Sequence, residues 1–296
     1  MRLSQIGFLL FLCFSVSEKV SAQDTTNLMN ELVSESQSPT TYAKFTFDYT
    51  RVVDGHSVET QPKKVLDLRI SHRFGPVNSG LYNFFGLDNA TMRLGFDYGI
   101  TDNLMIGVGH STFRKTYDGF LKLKLLRQSE GEVNMPVTMS LLAAFSSNTL
   151  TMPDSLKTTF GDRTASVFQL LIARKISQGF SFQIMPTYIH SDKISFNHPK
   201  RDILAIGAAA RQRLTKRLSI TGEYYYQFPE SKSPSSHNVL SFGIDIGTGG
   251  HIFQLHFTNS IGLNEKTFIS ETTGRWNKGD ILFGFNISRV FQLGRK

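Results

Sequence analysis

The chain holds one cysteine, Cys13, and one tryptophan, Trp276, in 296 residues. Beyond its N-terminal stretch it has no apolar run near the roughly 18 to 20 residues that a spanning helix requires. A lone thiol excludes an internal disulfide and a Cys-ligated metal. Histidines are present, but no His-x-x-x-His or His-Glu-x-x-His spacing occurs, so His56, His72, His110, His190, His198, His237 and His251 read as scattered loop and strand-end residues; no metal or other cofactor is expected. The formal charge is +8. Its basic residues are scattered along the chain, alone or in pairs, instead of forming a stripe, which argues against a nucleic-acid partner.

The N-terminus reads as an export signal: Arg2, a mostly apolar Ile6 to Val16, then Val20-Ser21-Ala22 ahead of Gln23. Cleavage after Ala22 removes Arg2, Glu18 and Lys19 and leaves +7, with Cys13 lost as well. Leu10-Phe11-Leu12 lacks the small residues of a lipoprotein processing site. The expected organisation is a signal peptide over 1–22, a flexible polar lead over 23–43, and a barrel domain over 44–296.

From Val65 onward, segments of about 10 residues alternate apolar and polar, as strands do when one face meets lipid and the other a lumen. Met92, Leu94, Phe96 and Tyr98 alternate with Arg93, Gly95, Asp97 and Gly99; Leu240, Phe242, Ile244 and Ile246 alternate with Ser241, Gly243, Asp245 and Gly247. Twelve strands are predicted: Val65 to Phe74, Ala90 to Ile100, Asn103 to Phe113, Asp118 to Gln128, Pro136 to Ser147, Arg163 to Ile176, Phe180 to His190, Asp202 to Leu214, Leu218 to Phe228, Asn238 to Thr248, His251 to Ser260, and Asp280 to Phe291. Connections alternate between tight turns and long loops, the mark of a bacterial outer-membrane barrel with periplasmic turns. Arg114 to Tyr117 is short where a long loop is expected, and Ser129 to Met135 is long where a turn is expected.

The expected fold is therefore all-β, a single closed antiparallel transmembrane barrel of about 12 strands. Lys44 to Val53 also reads as a strand, with Phe45, Phe47 and Tyr49 on one face. Thirteen strands would break the even rule, so this segment is placed outside the ladder, in the lumen or at the rim; the alternative is a fourteenth strand within Thr267 to Thr273. Gly75 to Asn89 becomes an outer loop whose Leu81, Phe84, Phe85 and Leu87 form a short helix or cap the rim.

With the apolar face outward, Asp67, Arg69, Arg73, Arg93, Asp97, Lys122, Lys124, Gln169, Gln183, Glu223, Asp245, Gln254, His256 and Asn286 point into the lumen. Both signs of charge occur, which predicts paired networks across the lumen and not a selectivity ring of one sign. Twelve strands lie between the filled eight-stranded and the open sixteen-stranded barrel, so a narrow, partly plugged pore is permitted. Tyr98, Tyr188, Tyr226 and Trp276 suit the membrane interface.

His256-Phe257-Thr258-Asn259-Ser260 with Arg275-Trp276-Asn277 is distantly similar to the His-x-Ser-Asn-Gly pattern of outer-membrane phospholipases. Thr258 stands where the nucleophilic serine belongs, Ser260 where the glycine belongs, and alternation turns His256 inward, away from bilayer lipid. A lipid hydrolase centred on His256 and Asn259 is thus the alternative to a non-enzymatic barrel. Gly247-Thr248-Gly249-Gly250 opens no helix and reads as a hairpin turn, not a phosphate cradle.

Ser71-His72-Arg73-Phe74-Gly75, Gly80 to Ala90 (Gly-Leu-Tyr-Asn-Phe-Phe-Gly-Leu-Asp-Asn-Ala), Thr116-Tyr117-Asp118-Gly119 with Lys124-Leu125-Leu126, and Phe253 to Ser260 together resemble an uncharacterised family of predicted outer-membrane β-barrels from Bacteroidota. The resemblance runs from about Lys44 to Phe291. It implies a barrel and implies no reaction. The expected setting is the outer membrane, with membrane lipid as neighbour and a small solute or a periplasmic protein as candidate partner.

Overall fold

The computed structural model describes residues 39–151, 159–191 and 202–294. Residues 1–38, where the export signal and most of the polar lead are expected, lie outside the described residues, as do 152–158 and 192–201 in two of the long connections. The compact unit begins at Thr40.

Twelve antiparallel strands close into one ring: β1 (Val65–Pro76), β2 (Ala90–Gly99), β3 (Leu104–Ser111), β4 (Thr116–Leu126), β5 (Thr138–Asn148), β6 (Thr164–Lys175), β7 (Phe180–Ser191), β8 (Asp202–Arg213), β9 (Leu218–Gln227), β10 (Val239–Thr248), β11 (His251–Thr258) and β12 (Leu282–Gln292). Each strand pairs with its sequence neighbours, and β12 pairs with β1 from Gln292 opposite Val65 to Leu282 opposite Pro76. Closure leaves no free edge, which is the condition a sheet must meet in hydrocarbon.

Burial follows the period of two. On β9, Ser219, Thr221, Glu223, Tyr225 and Gln227 are buried while Ile220, Tyr224 and Tyr226 are exposed. Phe96, Val108, Leu121, Phe145, Phe168, Ile206, Phe242 and Leu255 continue the outward apolar surface around the ring. In water this surface would be a large liability; against acyl chains it costs nothing. No described helix is long and apolar enough to cross a membrane; the strands do the crossing.

Two departures from the alternating turn pattern have local causes. Phe113 to Thr116 closes tightly because Arg114 and Lys115 both adopt positive φ, 55° and 47°, the geometry of a mirror-image hairpin turn without its usual glycine. The connection after β4 is long because Ser129–Glu130 pairs with Thr41–Tyr42, making a two-residue ribbon below the barrel. Pairing between β6 and β7 is continuous except at Leu170 opposite Pro186 and Leu171 opposite Met185. Pro186 has no N–H to offer the Leu170 carbonyl.

The segment Lys44 to Val53 lies outside the ladder, in the lumen, as the even strand count requires; only its strand-like alternation is not realised as a strand. It is the first limb of a re-entrant loop over residues 44–63 that enters the ring at the turn side, doubles back at Val52 to Gly55, and leaves at the same side into β1. The reversal is marked by Val52 N–H donating to the Gly55 carbonyl (2.9 Å) and by Ser57 N–H donating to the Thr50 carbonyl (3.0 Å). At the exit, Thr60 Oγ1 donates to the Asp102 carbonyl (2.7 Å) and Lys63 N–H to Asp102 Oδ1 (3.0 Å), in the β2–β3 turn.

Thr267 to Thr273 is no fourteenth strand either. It overlaps α1 (Glu265–Ser270), a short helix in the connection after β11. Asn264 caps it: its Oδ1 accepts from Thr267 N–H (3.0 Å), and Thr267 Oγ1 accepts from Asn264 N–H (3.3 Å). That reciprocal pair satisfies two donors a helix start leaves open. Phe268 and Ile269 are fully buried, so the helix is packed inward. Residues 81–86 form an exposed 3-10 turn at the outer rim, with Leu81, Tyr82, Phe84 and Phe85 largely uncovered.

Candidate functional site: the occupied lumen

The wall side chains named from the alternation are buried, except half-buried Lys124, and most of them are spent on the re-entrant loop. Glu223 accepts from Asp54 N–H (2.5 Å), from Gly55 N–H (3.2 Å) and, at 3.4 Å, from Val53 N–H, so one carboxylate holds the apex. Gln254 Nε2 donates to the Val52 carbonyl (2.5 Å), and Asn286 Nδ2 donates to the Val53 carbonyl (3.2 Å). Lys122 Nζ bridges the Thr50 and Ser57 carbonyls, both at 3.1 Å. Gln183 Oε1 accepts from Val58 N–H (2.7 Å), its Nε2 donates to the His56 carbonyl (2.8 Å), and Ser140 Oγ donates to the Val58 carbonyl (2.7 Å).

A loop inside a barrel carries backbone polar groups that water would otherwise satisfy, and each one left unpaired costs on the order of 1–3 kcal/mol. From Thr50 to Val58 the wall meets that need from several directions at once. This is the physical reason polar residues line the ring: they stand where neighbouring strands or solvent would stand in an ordinary loop.

Charge pairs add to the anchoring. Arg73 binds Asp54, which also accepts from Ser241 Oγ (2.5 Å) and Thr258 Oγ1 (3.2 Å). Arg211 and Arg213 bind Asp48, and Lys124 Nζ meets Glu59 at 2.9 Å. Arg93 makes a two-pronged contact with Asp118 (Nε to Oδ1 2.9 Å, Nη2 to Oδ2 2.5 Å). Asp67 accepts from Gln61 Nε2 (3.0 Å) and from Ser288, and sits 3.8 Å from Arg69. Asp245 Oδ1 accepts from Gln254 Nε2 (2.5 Å), and Gln169 Nε2 donates to Thr187 Oγ1 (2.9 Å). Asp97 is fully buried with no hydrogen bond to either oxygen.

The outer end is closed by α1. Glu265 pairs with Arg51 at 2.7 Å and lies 3.3 Å from His56 Nε2, joining the helix to the loop. Phe268 meets Tyr225 edge-on, centroids 5.2 Å apart. Around them one side of the lumen is apolar: Phe47, Val53 and Val58 from the loop form one cluster with Met105, Phe120, Leu142, Leu171, Met185 and Ile189 from the wall. The loop residues Arg51, Asp54 and His56, and Glu265 on the helix, are absent from the set read off the alternation, because alternation describes only the wall. A cavity of about 480 Å³ remains at the turn-side mouth, lined by Asp48, Tyr49, Glu59, Lys216 and Arg217 among others.

His256 is buried among wall residues, and neither ring nitrogen has a hydrogen-bond partner. Thr258 Oγ1 is engaged by Ser241 and Asp54 instead. Asn259 holds loop backbone: Nδ2 donates to the Asn238 (2.9 Å) and Gly274 (2.8 Å) carbonyls, and Oδ1 accepts from Leu240 N–H (2.9 Å). No hydroxyl lies within hydrogen-bond reach of His256, the first requirement for an activated nucleophile.

Outside the spanning strands, His237 and Asp280 form a small cluster at the outer rim. Arg275 Nε donates to His237 Nε2 (2.7 Å). Partial burial first, and the Arg275 charge second, hold the His237 imidazole below its usual range. Asp280 accepts from Asn78 Nδ2 (2.8 Å) and from Arg275 N–H (3.0 Å), and these bonds hold its carboxyl below the ordinary carboxylate range. Trp276 Nε1 donates to the Leu240 carbonyl (2.8 Å) beside Phe242, an interfacial position.

A closed twelve-stranded ring with a lipid-facing apolar wall and an occupied polar lumen defines an integral outer-membrane β-barrel. The chain belongs to the family described as membrane bound beta barrel domain (DUF5777), which residues 47–291 match. That match takes in most of the re-entrant loop as well as the ring. Among curated proteins, none matches the chain. Solved structures with a similar ring include the NanC porin (8% identity, 78% of this chain and 100% of that one, TM-score 0.48). The COG4313 outer membrane channel from Pseudomonas putida F1 is similar at 11% identity, 81% and 100% coverage and TM-score 0.49. The outer membrane phospholipase A of Escherichia coli, in an active site mutant form, is similar at 9% identity, 78% and 91% coverage and TM-score 0.44.

Proposed function

We propose that the chain is a non-enzymatic barrel that binds and passes a small solute, and that its resting state is shut by the re-entrant loop. The observation that carries this reading is the wiring of Thr50 to Val58 into the wall by Glu223, Lys122, Gln183, Gln254 and Asn286. Bonds of this kind exchange for water at a net cost of about 0.5–1.5 kcal/mol each, so the contact can open in a way that a wholly apolar core cannot. The cavity at the turn-side mouth gives a solute a place to sit against the loop. His256, without a hydroxyl beside it, supplies no support for the lipid-hydrolase alternative.

A role as a membrane-embedded partner of a periplasmic protein has one observation in its favour. Thr41–Tyr42, the stem of the loop, is exposed at the turn side, where it pairs with Ser129–Glu130 and Arg127 lies over the Tyr42 ring, 5.0 Å from its centroid. A protein that gripped this stem would act directly on the lumen.

The test is planar-bilayer recording of wild type beside an Arg51→Ala/Asp54→Ala variant, which loses the contacts to Glu265 and Arg73. Wild type is expected to be silent and the variant to show discrete openings with liposome swelling in small sugars. A correctly folded variant that neither conducts nor admits any small solute would reject passage.

A further inference from the structure

At the junction of loop, wall and outer connection lies a small, partly enclosed void of about 10 Å³, lined by Arg51, Asp54, Arg69, Arg73, Arg93 and Leu263 among others. Four guanidinium groups around one small space would be prohibitive if uncompensated, since buried charge must be paired. Three of them are: Arg51 has Glu265, Arg73 has Asp54, and Arg93 has Asp118. Arg69 differs. Its nearest carboxylate, Asp67, is 3.8 Å away, beyond hydrogen-bond distance, and Asp67 is occupied by Gln61 and Ser288. The Nε atoms of Arg51, Arg69 and Arg73 are buried and without a hydrogen-bond partner. Asp97 faces Asp67 directly across the β1–β2 pair and does not line the void.

We infer that this void is the seat of one small inorganic anion of the halide class, chloride in the cell envelope. About 10 Å³ is open to the centre of a water-sized particle, which leaves room for a single small occupant, a monatomic ion or a water, and excludes phosphate, sulfate and carboxylate metabolites. The excess of guanidinium donors over hydrogen-bonded carboxylates, with no carbonyl or carboxylate answering Arg69 Nε, favours the ion. Because the lining comes from the loop (Arg51, Asp54), from β1 and β2 (Arg69, Arg73, Arg93) and from the connection carrying α1 (Leu263), the ion ties together the three parts that close the lumen. The inference concerns the closed state and stands whether or not the barrel passes solute.

The experiment is diffraction at the bromine absorption edge from crystals of the full barrel in which all chloride is replaced by bromide. One anomalous peak is expected in the void beside Arg69, and it should vanish in Arg69→Gln while peripheral bromide peaks persist. A wild-type map with water density or no density there, or with bromide only on the surface, overturns the inference, and decides it even if Arg69→Gln does not fold.

Discussion

Replacing Glu223 with alanine removes the single acceptor that serves the apex of the re-entrant loop. Its carboxylate takes two close backbone bonds, from Asp54 at 2.5 Å and Gly55 at 3.2 Å, and a long one from Val53 at 3.4 Å. Each backbone N–H left buried without a partner costs about 1–3 kcal/mol, so losing the two close bonds costs roughly 2–6 kcal/mol if nothing replaces them. Water entering the space left by the carboxylate restores part of that, which puts the loss at about 3 kcal/mol. At about 1.4 kcal/mol per decade, the loop should open on the order of a hundred times more often. Hydrogen exchange of the peptide covering residues 50–58, read by mass spectrometry on protein in liposomes, reports that opening, while strand amides should be unchanged. Glu223→Gln keeps an acceptor oxygen and should accelerate exchange much less. Equal exchange in wild type and Glu223→Ala would refute the claim that this side chain holds the loop.

Gly55→Val should act at the same place by sterics, because a side chain at residue 55 would collide with the Tyr225 hydroxyl; tryptic cleavage within residues 44–63 should appear in the variant and not in wild type. Pro186→Thr should supply the N–H missing opposite Leu170 and raise stability by about 1 kcal/mol, measured as a higher urea midpoint in lipid vesicles. Val108→Arg places a charge on an exposed lipid-facing position and should destabilise the folded barrel by up to roughly 2–4 kcal/mol, as seen in the same urea titration. His237 should titrate below its ordinary pKa in NMR spectra. Since that pKa is lowered on folding, the Arg275 contact is fully formed above the unfolded value and is lost as pH falls through the folded one; a midpoint at or above about 6.5 would contradict it.

The ring was legible in the sequence because its cause is local and repetitive. A strand between lipid and a polar lumen must alternate, and both ends of all twelve strands read from alternation fall within two residues of those in the structure. Lys44 to Val53 shows why the same reasoning stops short. Phe45, Phe47 and Tyr49 alternate as a strand would, yet β12 already pairs with β1, and a closed ring has no edge left to receive another. The segment turns into the lumen, and Phe45 takes a positive φ of 48°. The six-residue α1 announces itself only through Asn264 and Thr267, a capping pair too short-ranged to stand out beside strand-like neighbours. The inward direction of Glu223, Lys122 and Gln254 follows from their place in the period, but what they bind does not, because their partners are backbone atoms of a loop some 70 to 200 residues away in the chain. The short Phe113 to Thr116 turn was obscured for a different reason: Arg114 and Lys115 occupy positions where Asn-Gly normally advertises the geometry.

Whether the lumen is filled by the chain's own residues 44–63 can be tested with one thiol. In a Cys13→Ser background, Val58→Cys puts a cysteine at a fully buried site on the returning limb of the loop. Treated with a membrane-impermeant maleimide in sealed outer-membrane vesicles and again after both faces are made accessible, this thiol should stay unlabelled until the barrel is unfolded. Rapid labelling from either face in the folded protein would mean that water and solutes already reach the middle of the ring.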